Sequence, residues 1–227
     1  MASSLRRIAS TVRRRLRPTP QERLMARWQE YTMLPARALH SNVELAAMVR
    51  DLDGVVVECG VWRGGAIASI AEVLGPRRRY FLFDSFEGLP PAEEIDGESA
   101  AAWQADTTSP RYFENCAAEE QWARGAMARA GVHDPTLIRG WFEDTVPQWV
   151  APAPIALLRL DGDWYSSTKV CLDALIPQMA PGGLVLIDDY QAWDGCARAV
   201  NEFLGATTLP IRLRESRQGV TWFRMPD

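Results

Sequence analysis

The chain has 227 residues, 47% of them hydrophobic, and a formal net charge of −4 at pH 7; that is enough apolar mass for a full core in one or two domains, of which we expect one. No run approaches the roughly 20 apolar residues of a membrane span, and the acidic body argues against a nucleic-acid binder, so a soluble, cytoplasmic protein is expected. Cys59, Cys116, Cys171 and Cys196 have no closely spaced partners and read as reduced thiols.

The first 17 residues carry six arginines and no acid; residues 1–18 read as a basic arm ahead of a domain spanning residues 19–227. Thr19-Pro20-Gln21-Glu22 has the form of a capping box with proline at the first helical position, which predicts a helix running through Trp28 and Tyr31. Ser41-Asn42-Val43-Glu44 repeats the device and predicts a second helix start, so that residues 19–52 form a helical cap before the Asp53-Gly54 turn. Val55, Val56 and Val57 are stiff, branched residues suited to a strand buried on both faces. The small-residue stretch AIASIAEVL, stopped by Gly75-Pro76, predicts the next helix. Apolar strands at Tyr80 to Asp84, Thr136 to Gly140, Ile155 to Asp161 and Gly183 to Asp189 then alternate with the helical stretches EEQWARGAMARA, STKVCLDALIPQM and GCARAVNEFL. Strands separated by helices predict a parallel, doubly wound sheet with right-handed crossovers. The tail IRLRESRQGVTWFRM has two short strand-like runs around Ser216 to Gly219 and reads as a closing hairpin. The expected fold is α/β, Rossmann-like: a mostly parallel seven-stranded sheet with a C-terminal antiparallel hairpin and N-terminal helices, the plan of a class I methyltransferase. Two long stretches without an expected element, Ser85 to Cys116 and Trp141 to Pro154, follow strand ends, and residues 85–118 read as a lid over a substrate.

The run ECGVWRGG puts Glu58 at a strand's carboxyl end, where open α/β sheets bind ligands, and Gly60, Gly64 and Gly65 in the turn that follows. Its spacing is neither the G-x-G-x-x-G of dinucleotide binders nor the G-x-x-x-x-G-K-S/T of phosphate loops, and no lysine follows the glycines. A carboxylate there repels phosphate and attracts a cationic, zwitterionic cofactor such as S-adenosylmethionine. The plainer alternative is an ordinary tight strand-to-helix turn.

Four strand ends carry acids: Glu58, Asp84, Asp161 with Asp163, and Asp188 with Asp189. Parallel strands bring them to one edge of the sheet. Asp84 is placed to accept from a ribose diol. The four carboxylates of LRLDGDWYSST and LIDDY repel one another unless a cation sits among them, and an oxygen-only donor set suits Mg²⁺. Asp161, Asp188 and Asp189 are the expected ligands, with Asp163 facing the acceptor; alternatively one or two of these acids, or Ser166, cap the helices that follow. Trp141, directly after a strand, either stacks on an adenine or packs in the core. Trp164 and Tyr165 either line a sugar or pack the helix behind them. His40 and His133 read as structural.

Together ECGVWRGG, FDSFEGLP, GWFEDTVP, LRLDGDWYSST and GGLVLIDDY, five ordered blocks between Thr32 and Phe203, resemble the macrocin O-methyltransferase (TylF-type) family. The resemblance implies an S-adenosylmethionine- and Mg²⁺-dependent enzyme of antibiotic biosynthesis that methylates a sugar hydroxyl of a small-molecule glycoside acceptor. It implies that Glu58 and Gly60 line the cofactor, that Asp84 and Ser85 hold its ribose, and that Gly140 and Trp141 lie near its adenine. Asp161, Asp188 and Asp189 match the metal ligands and Asp163 the base. Some members carry an acceptor-side histidine in the lid; Thr107 to Ala118 contains none, which leaves Asp163 as the base candidate. A homo-oligomer is expected, and neither nucleic acid nor membrane is an expected partner. The competing readings are a D-x-D metal-dependent phosphatase, a D-x-D glycosyltransferase and a non-catalytic cofactor-binding homologue.

Overall fold

A computed structural model describes residues 18–227; the basic arm, apart from Pro18, lies outside the described residues. The capping box forms: the Thr19 N–H donates to Glu22 Oε2 at 2.6 Å and the Glu22 N–H to Thr19 Oγ1 at 3.2 Å, starting α1 at Pro20–Trp28. The helix ends at Trp28, so Tyr31 belongs to the turn beyond it. The expected second start at Ser41 is not observed. Helix α2 is Ala36–Ala46, begins after Pro35, and runs straight through Ser41 and Asn42, both buried. Ser41 lies inside this helix and has no free first turn to cap, while the neighbouring Asn42 donates from Nδ2 to the Ala38 carbonyl at 3.0 Å and accepts at Oδ1 from Arg159 Nε at 3.2 Å.

The parallel strands are β1 Val55–Cys59, β2 Tyr80–Asp84, β3 Thr136–Arg139, β4 Ile155–Leu160 and β5 Met179–Ile187. The closing hairpin is β6 Arg214–Glu215 and β7 Thr221–Arg224, with β7 antiparallel to β5. The sheet order is β3-β2-β1-β4-β5-β7-β6. Chain order therefore reverses between β1 and β4, and the crevice at their carboxyl ends is where such a sheet opens to a ligand. Between the strands lie α3 Gly65–Leu74, α4 Glu98–Ala105, α5 Glu120–Arg129, α6 Phe142–Thr145, α7 Tyr165–Leu175 and α8 Asp194–Ala206. The stretch expected to be irregular after β2 thus contains a helix, α4.

Period-two alternation divides the core. Val56, Leu82, Leu157, Leu184 and Leu186 pack under α1, α2, α3 and α5; Val55, Val57, Phe83, Leu158, Val185 and Ile187 pack against α7 and α8. Glu58 and Arg159 share the phase of Val56 and Leu157, and they are register partners on neighbouring strands. The alternation that builds the core thus places an acid and a base side by side under α2.

Two glycines of the turn after β1 are dictated by close approach. Gly60 has φ +89°, and a Cβ there would lie 1.7 Å from the Asp161 carbonyl oxygen, so only glycine lets the ends of β1 and β4 come together. Gly64, φ +83°, would place a Cβ 2.9 Å from the Ala123 Cα of α5. We predict that Gly60→Ala costs about 2–5 kcal/mol, from left-handed strain and overpacking together, whereas Gly125→Ala, at an exposed α5 position with nothing within 4 Å, stabilises by about 0.5–1 kcal/mol. Urea melts of the two variants check both signs; a Gly60→Ala protein as stable as the wild type would mean that the strand ends move apart at little cost.

Candidate active site

A cavity of about 280 Å³ opens at the carboxyl ends of the strands, and Gly60, Asp84, Ser85, Gly140 and Trp141 line one part of it while Asp161, Asp163, Asp188 and Asp189 line another. The loops around it are held by their own acids. Asp84 Oδ2 accepts from the Val61 and Trp62 N–H groups at 2.7 and 2.8 Å, and its Oδ1 accepts from the Phe86 N–H at 2.6 Å. Trp62 and Phe86 have φ of 48° and 58°, so one carboxylate fastens two residues in conformations that side chains disfavour. Ser85 is spent locally: Oγ donates to the Gly88 carbonyl and accepts from the Glu87 N–H, each at 3.0 Å. The Gly140 N–H donates to the Asp84 carbonyl at 3.0 Å. Glu58 and Gly64 do not line the cavity; Glu58 is fully buried behind it.

Glu58 is buried because Arg159 is. This arginine, 1% exposed, donates from Nη1 to Glu58 Oε1 at 3.1 Å and to Asp161 Oδ2 at 2.7 Å, and from Nη2 to Asp188 Oδ1 at 2.7 Å. With the Asn42 bond from Nε, one guanidinium ties β1, β4, the end of β5 and α2 together.

The D-G-D turn after β4 is folded the same way. Asp163 has φ 56°; its N–H donates to Asp189 Oδ2 at 2.9 Å, and its Oδ1 accepts from Trp193 Nε1 at 2.8 Å. One ligand atom each from Asp161, Asp163 and Asp189 lies within 4.8 Å of the other two. Of the expected acids, then, the geometry brings these three closest, while Asp188 sits beside them with one oxygen on Arg159. The alternative of helix capping is not taken up: α7 has no side-chain cap of its own, and its Tyr165 N–H donates instead to Asp96 Oδ1, from the segment between β2 and α4, at 2.7 Å.

Burial dominates the electrostatics. It pushes the Glu58 carboxyl up to about 8 despite Arg159. It lifts Asp163 to about 8, with Asp161 repelling in the same direction, and Asp188 to about 6 against the pull of Arg159. Asp189 is raised by burial and then by Asp163, Asp161 and Asp188. Asp84 is raised by burial, with its three amide donors opposing. Burial works against the Arg159 charge, but Asp161, Asp188 and Glu58 more than offset it.

Trp141 lines the cavity. Trp164 is buried and donates to the Pro90 carbonyl at 2.9 Å, and the Tyr165 hydroxyl turns away to Glu202 at 2.6 Å. The aromatic wall belongs to residues that sequence reasoning did not single out, Trp103 on α4 and Trp193, which pack at 6.2 Å from each other and edge-on to Trp164. Arg159 was missed too, although a signal existed: an arginine inside a strand buried on both faces requires a buried partner. His40 bonds Glu44 on the surface of α2, and neither it nor His133 lines the cavity.

A 3-2-1-4-5-7-6 sheet with an acid-edged cavity at the carboxyl ends of its parallel strands defines a class I, Rossmann-like methyltransferase. NovP, an O-methyltransferase of known structure, superposes with a TM-score of 0.72 at 27% identity, covering 87% of this chain and 83% of that one. Residues 6–225 match the macrocin O-methyltransferase (TylF) family, and the chain belongs to that family. Similar relatives are the 8-demethyl-8-(2,3-dimethoxy-α-L-rhamnosyl)-tetracenomycin-C 4′-O-methyltransferase of Streptomyces olivaceus, 35% identical over 90% of this chain and 81% of the relative, and the mycinamicin III 3″-O-methyltransferase of Micromonospora griseorubida, 32% identical over 86% and 78%.

The buried Glu58 yields a pH test. Its value rises from about 4.5 in the unfolded chain to about 8 in the fold, so the folded state holds the proton more tightly and the stability that Glu58 contributes falls as pH rises through that window. With chelator present, wild type should lose stability relative to Glu58→Gln between pH 5 and 8, by an amount on the order of a few kcal/mol. Denaturant melts across that range measure it; parallel pH profiles would mean that Glu58 stays ionised against Arg159 throughout.

Proposed function

We propose that this protein transfers the methyl group of S-adenosylmethionine to a sugar hydroxyl of a glycosylated natural product, with Mg²⁺ as its metal. The observation that carries the reading is the single cavity that joins the Gly60–Asp84–Gly140–Trp141 wall to the acid cluster, so that a cofactor on one side and an acceptor on the other meet in one space. Gly60, Asp84, Ser85, Gly140 and Trp141 form the cofactor wall in this reading, backed by Glu58 and Gly64. Asp84 Oδ1 accepts one chain N–H and keeps a lone pair for a ribose hydroxyl.

The residues fit a hard divalent cation. Asp161, Asp163 and Asp189 each have one oxygen held by a donor of the chain, from Arg159, Trp193 and the Asp163 N–H respectively, and each has a second oxygen to offer. All donors are oxygens, and Asp161, Asp163, Asp188 and Asp189 crowd together with one guanidinium beside them, so their full ionisation is costly until a cation binds and favours it. We propose Asp161, Asp188 and Asp189 as the ligands and Asp163 as the base. The short distances among Asp161, Asp163 and Asp189 favour a second reading in which Asp163 is the third ligand and Asp188 stays with Arg159.

When bound, S-adenosylmethionine supplies an electrophilic methyl group, and the cation supplies the acidity that an alcohol lacks. The chain does the rest. Asp163, turned inward by its left-handed backbone and fixed on Oδ1 by Trp193, presents Oδ2 to the acceptor hydroxyl and takes its proton as the new C–O bond forms and the S–C bond breaks. Trp103 and Trp193 offer flat faces to the apolar side of a sugar. The alignment of the two ligands in one cavity supplies the entropic part of the rate. The relatives, one named for a rhamnosyl acceptor, support a glycoside as partner.

Asp84→Ala should weaken S-adenosylhomocysteine binding by about 1.5–3 kcal/mol, the scale of a charged hydrogen bond; calorimetry reads it, and unchanged affinity removes Asp84 from the ribose site. Turnover on a polyketide or coumarin glycoside should stop with chelator and return with Mg²⁺. Within the acids, Asp188→Asn should weaken Mg²⁺ binding, whereas Asp163→Asn should spare it and cut turnover by roughly 10²- to 10⁴-fold. Mg²⁺ affinity lost in Asp163→Asn and kept in Asp188→Asn would establish the second ligand set, and chelator-resistant transfer would remove the metal.

A further inference from the structure

We infer that Arg159 is a positioning residue for the metal-ligand carboxylates, an inference that rests on the proposed Mg²⁺ site. The guanidinium is almost wholly buried and uses four bonds on four different groups: Asn42 from α2, Glu58 from β1, Asp161 beyond β4 and Asp188 beyond β5. Two of these partners, Asp161 and Asp188, are proposed ligands. In each the arginine takes one oxygen, Asp161 Oδ2 and Asp188 Oδ1, at 2.7 Å, and so sets the direction in which the other oxygen points. Because guanidinium is planar and rigid, the two carboxylates are held in a fixed mutual orientation rather than merely neutralised. Asn42 and Glu58 fix the arginine in turn, and Glu58 has no access to solvent or ligand through which to act otherwise.

A plain counter-charge and a positioning residue predict opposite signs. A cation beside the ligands repels a second cation, so if Arg159 only neutralises, its removal tightens Mg²⁺ binding. If it positions, its removal weakens binding although the repulsion is gone, as loss of an outer partner of a metal ligand commonly does by about 10- to 100-fold. A purely structural role leaves the affinity of the folded protein unchanged.

Removing Arg159 alone leaves the buried Glu58 carboxyl without its partner, so the informative variant is Glu58→Gln/Arg159→Met, compared with Glu58→Gln as reference. Mg²⁺ titrations by calorimetry, with S-adenosylhomocysteine present and folding checked by a cooperative melt, should show affinity at least tenfold weaker in the double variant. Arg159→Lys, which keeps the charge but cannot span the four partners, should weaken Mg²⁺ binding in the wild-type background as well, and it decides the matter should the double variant not fold. Equal or tighter Mg²⁺ binding in these variants overturns the positioning role while leaving the metal site in place. A wild type that neither binds Mg²⁺ in the titration nor gains thermal stability from it overturns both.

Discussion

The carboxyl edge of this sheet is organised by one buried guanidinium. Arg159 lies in a strand whose neighbours on both sides are packed hydrocarbon, where taking a charge from water costs several kcal/mol after relaxation. It is tolerable only because Glu58, its register partner on β1, and Asp161 and Asp188 at the strand ends surround it. The dependence runs in both directions. Without the arginine, Glu58 would be an unpaired buried acid, and Asp161 and Asp188 would have no common anchor. The helical cap enters the same assembly through Asn42, so α2 is joined to the chemistry although it lines none of it.

A second regularity follows from the first. Non-glycine residues with positive φ are, among the described residues, Trp62, Phe86, Glu114, Asn115, Cys116 and Asp163. Every one lies in a loop at the carboxyl ends of the strands or in the segment between α4 and α5. Such conformations cost of order 1 kcal/mol each and persist where the surroundings fix them. Here the surroundings can be named. Asp84 fastens Trp62 and Phe86, Asp189 fastens Asp163, and Gln104 and Leu89 fasten Asn115. The acids of the site therefore have a mechanical duty beside any chemical one, and their substitution loosens loops as well as removing charge.

The architecture was legible because its signals are local and redundant. Valine and leucine runs, the alternation with helices and the Thr19 capping box each give the same answer. The strand ends were legible for the same reason, since parallel strands carry their terminal acids to one edge. What escaped notice was set by tertiary partners. Ser41 has the look of a helix cap until α2 is seen to begin before it, at Ala36. Trp103 and Trp193, on α4 and just before α8, meet only through the fold, whereas Trp164, adjacent to the D-G-D turn in sequence, is buried edge-on against them. The glycines of the β1 turn are legible as a tight turn, but what Gly60 makes room for, the Asp161 carbonyl from a strand a hundred residues away, is not.

The electrostatic character of the cavity separates the competing chemistries. A phosphatase or a nucleotide-sugar glycosyltransferase must offer positive charge to phosphate, and where a D-x-D metal supplies part of it, basic side chains supply the rest. Of the arginines lining this cavity, Arg159 is already enclosed by three carboxylates, and Arg111 is exposed. Around the reacting centre acids outnumber bases. Acids whose ionisation is held back by burial and by one another become charged when a cation arrives, so the enclosure suits a divalent ion, a sulfonium and a neutral polyol, the three that a metal-assisted methyl transfer brings together. The transfer also consumes positive charge at sulfur as it proceeds, so the acids favour binding of the charged cofactor over its neutral-sulfur product and assist release once the methyl has moved. On the proposed reading the same group of acids serves two ends, holding the metal for the acceptor and, by the same Coulomb term, discriminating substrate cofactor from spent cofactor.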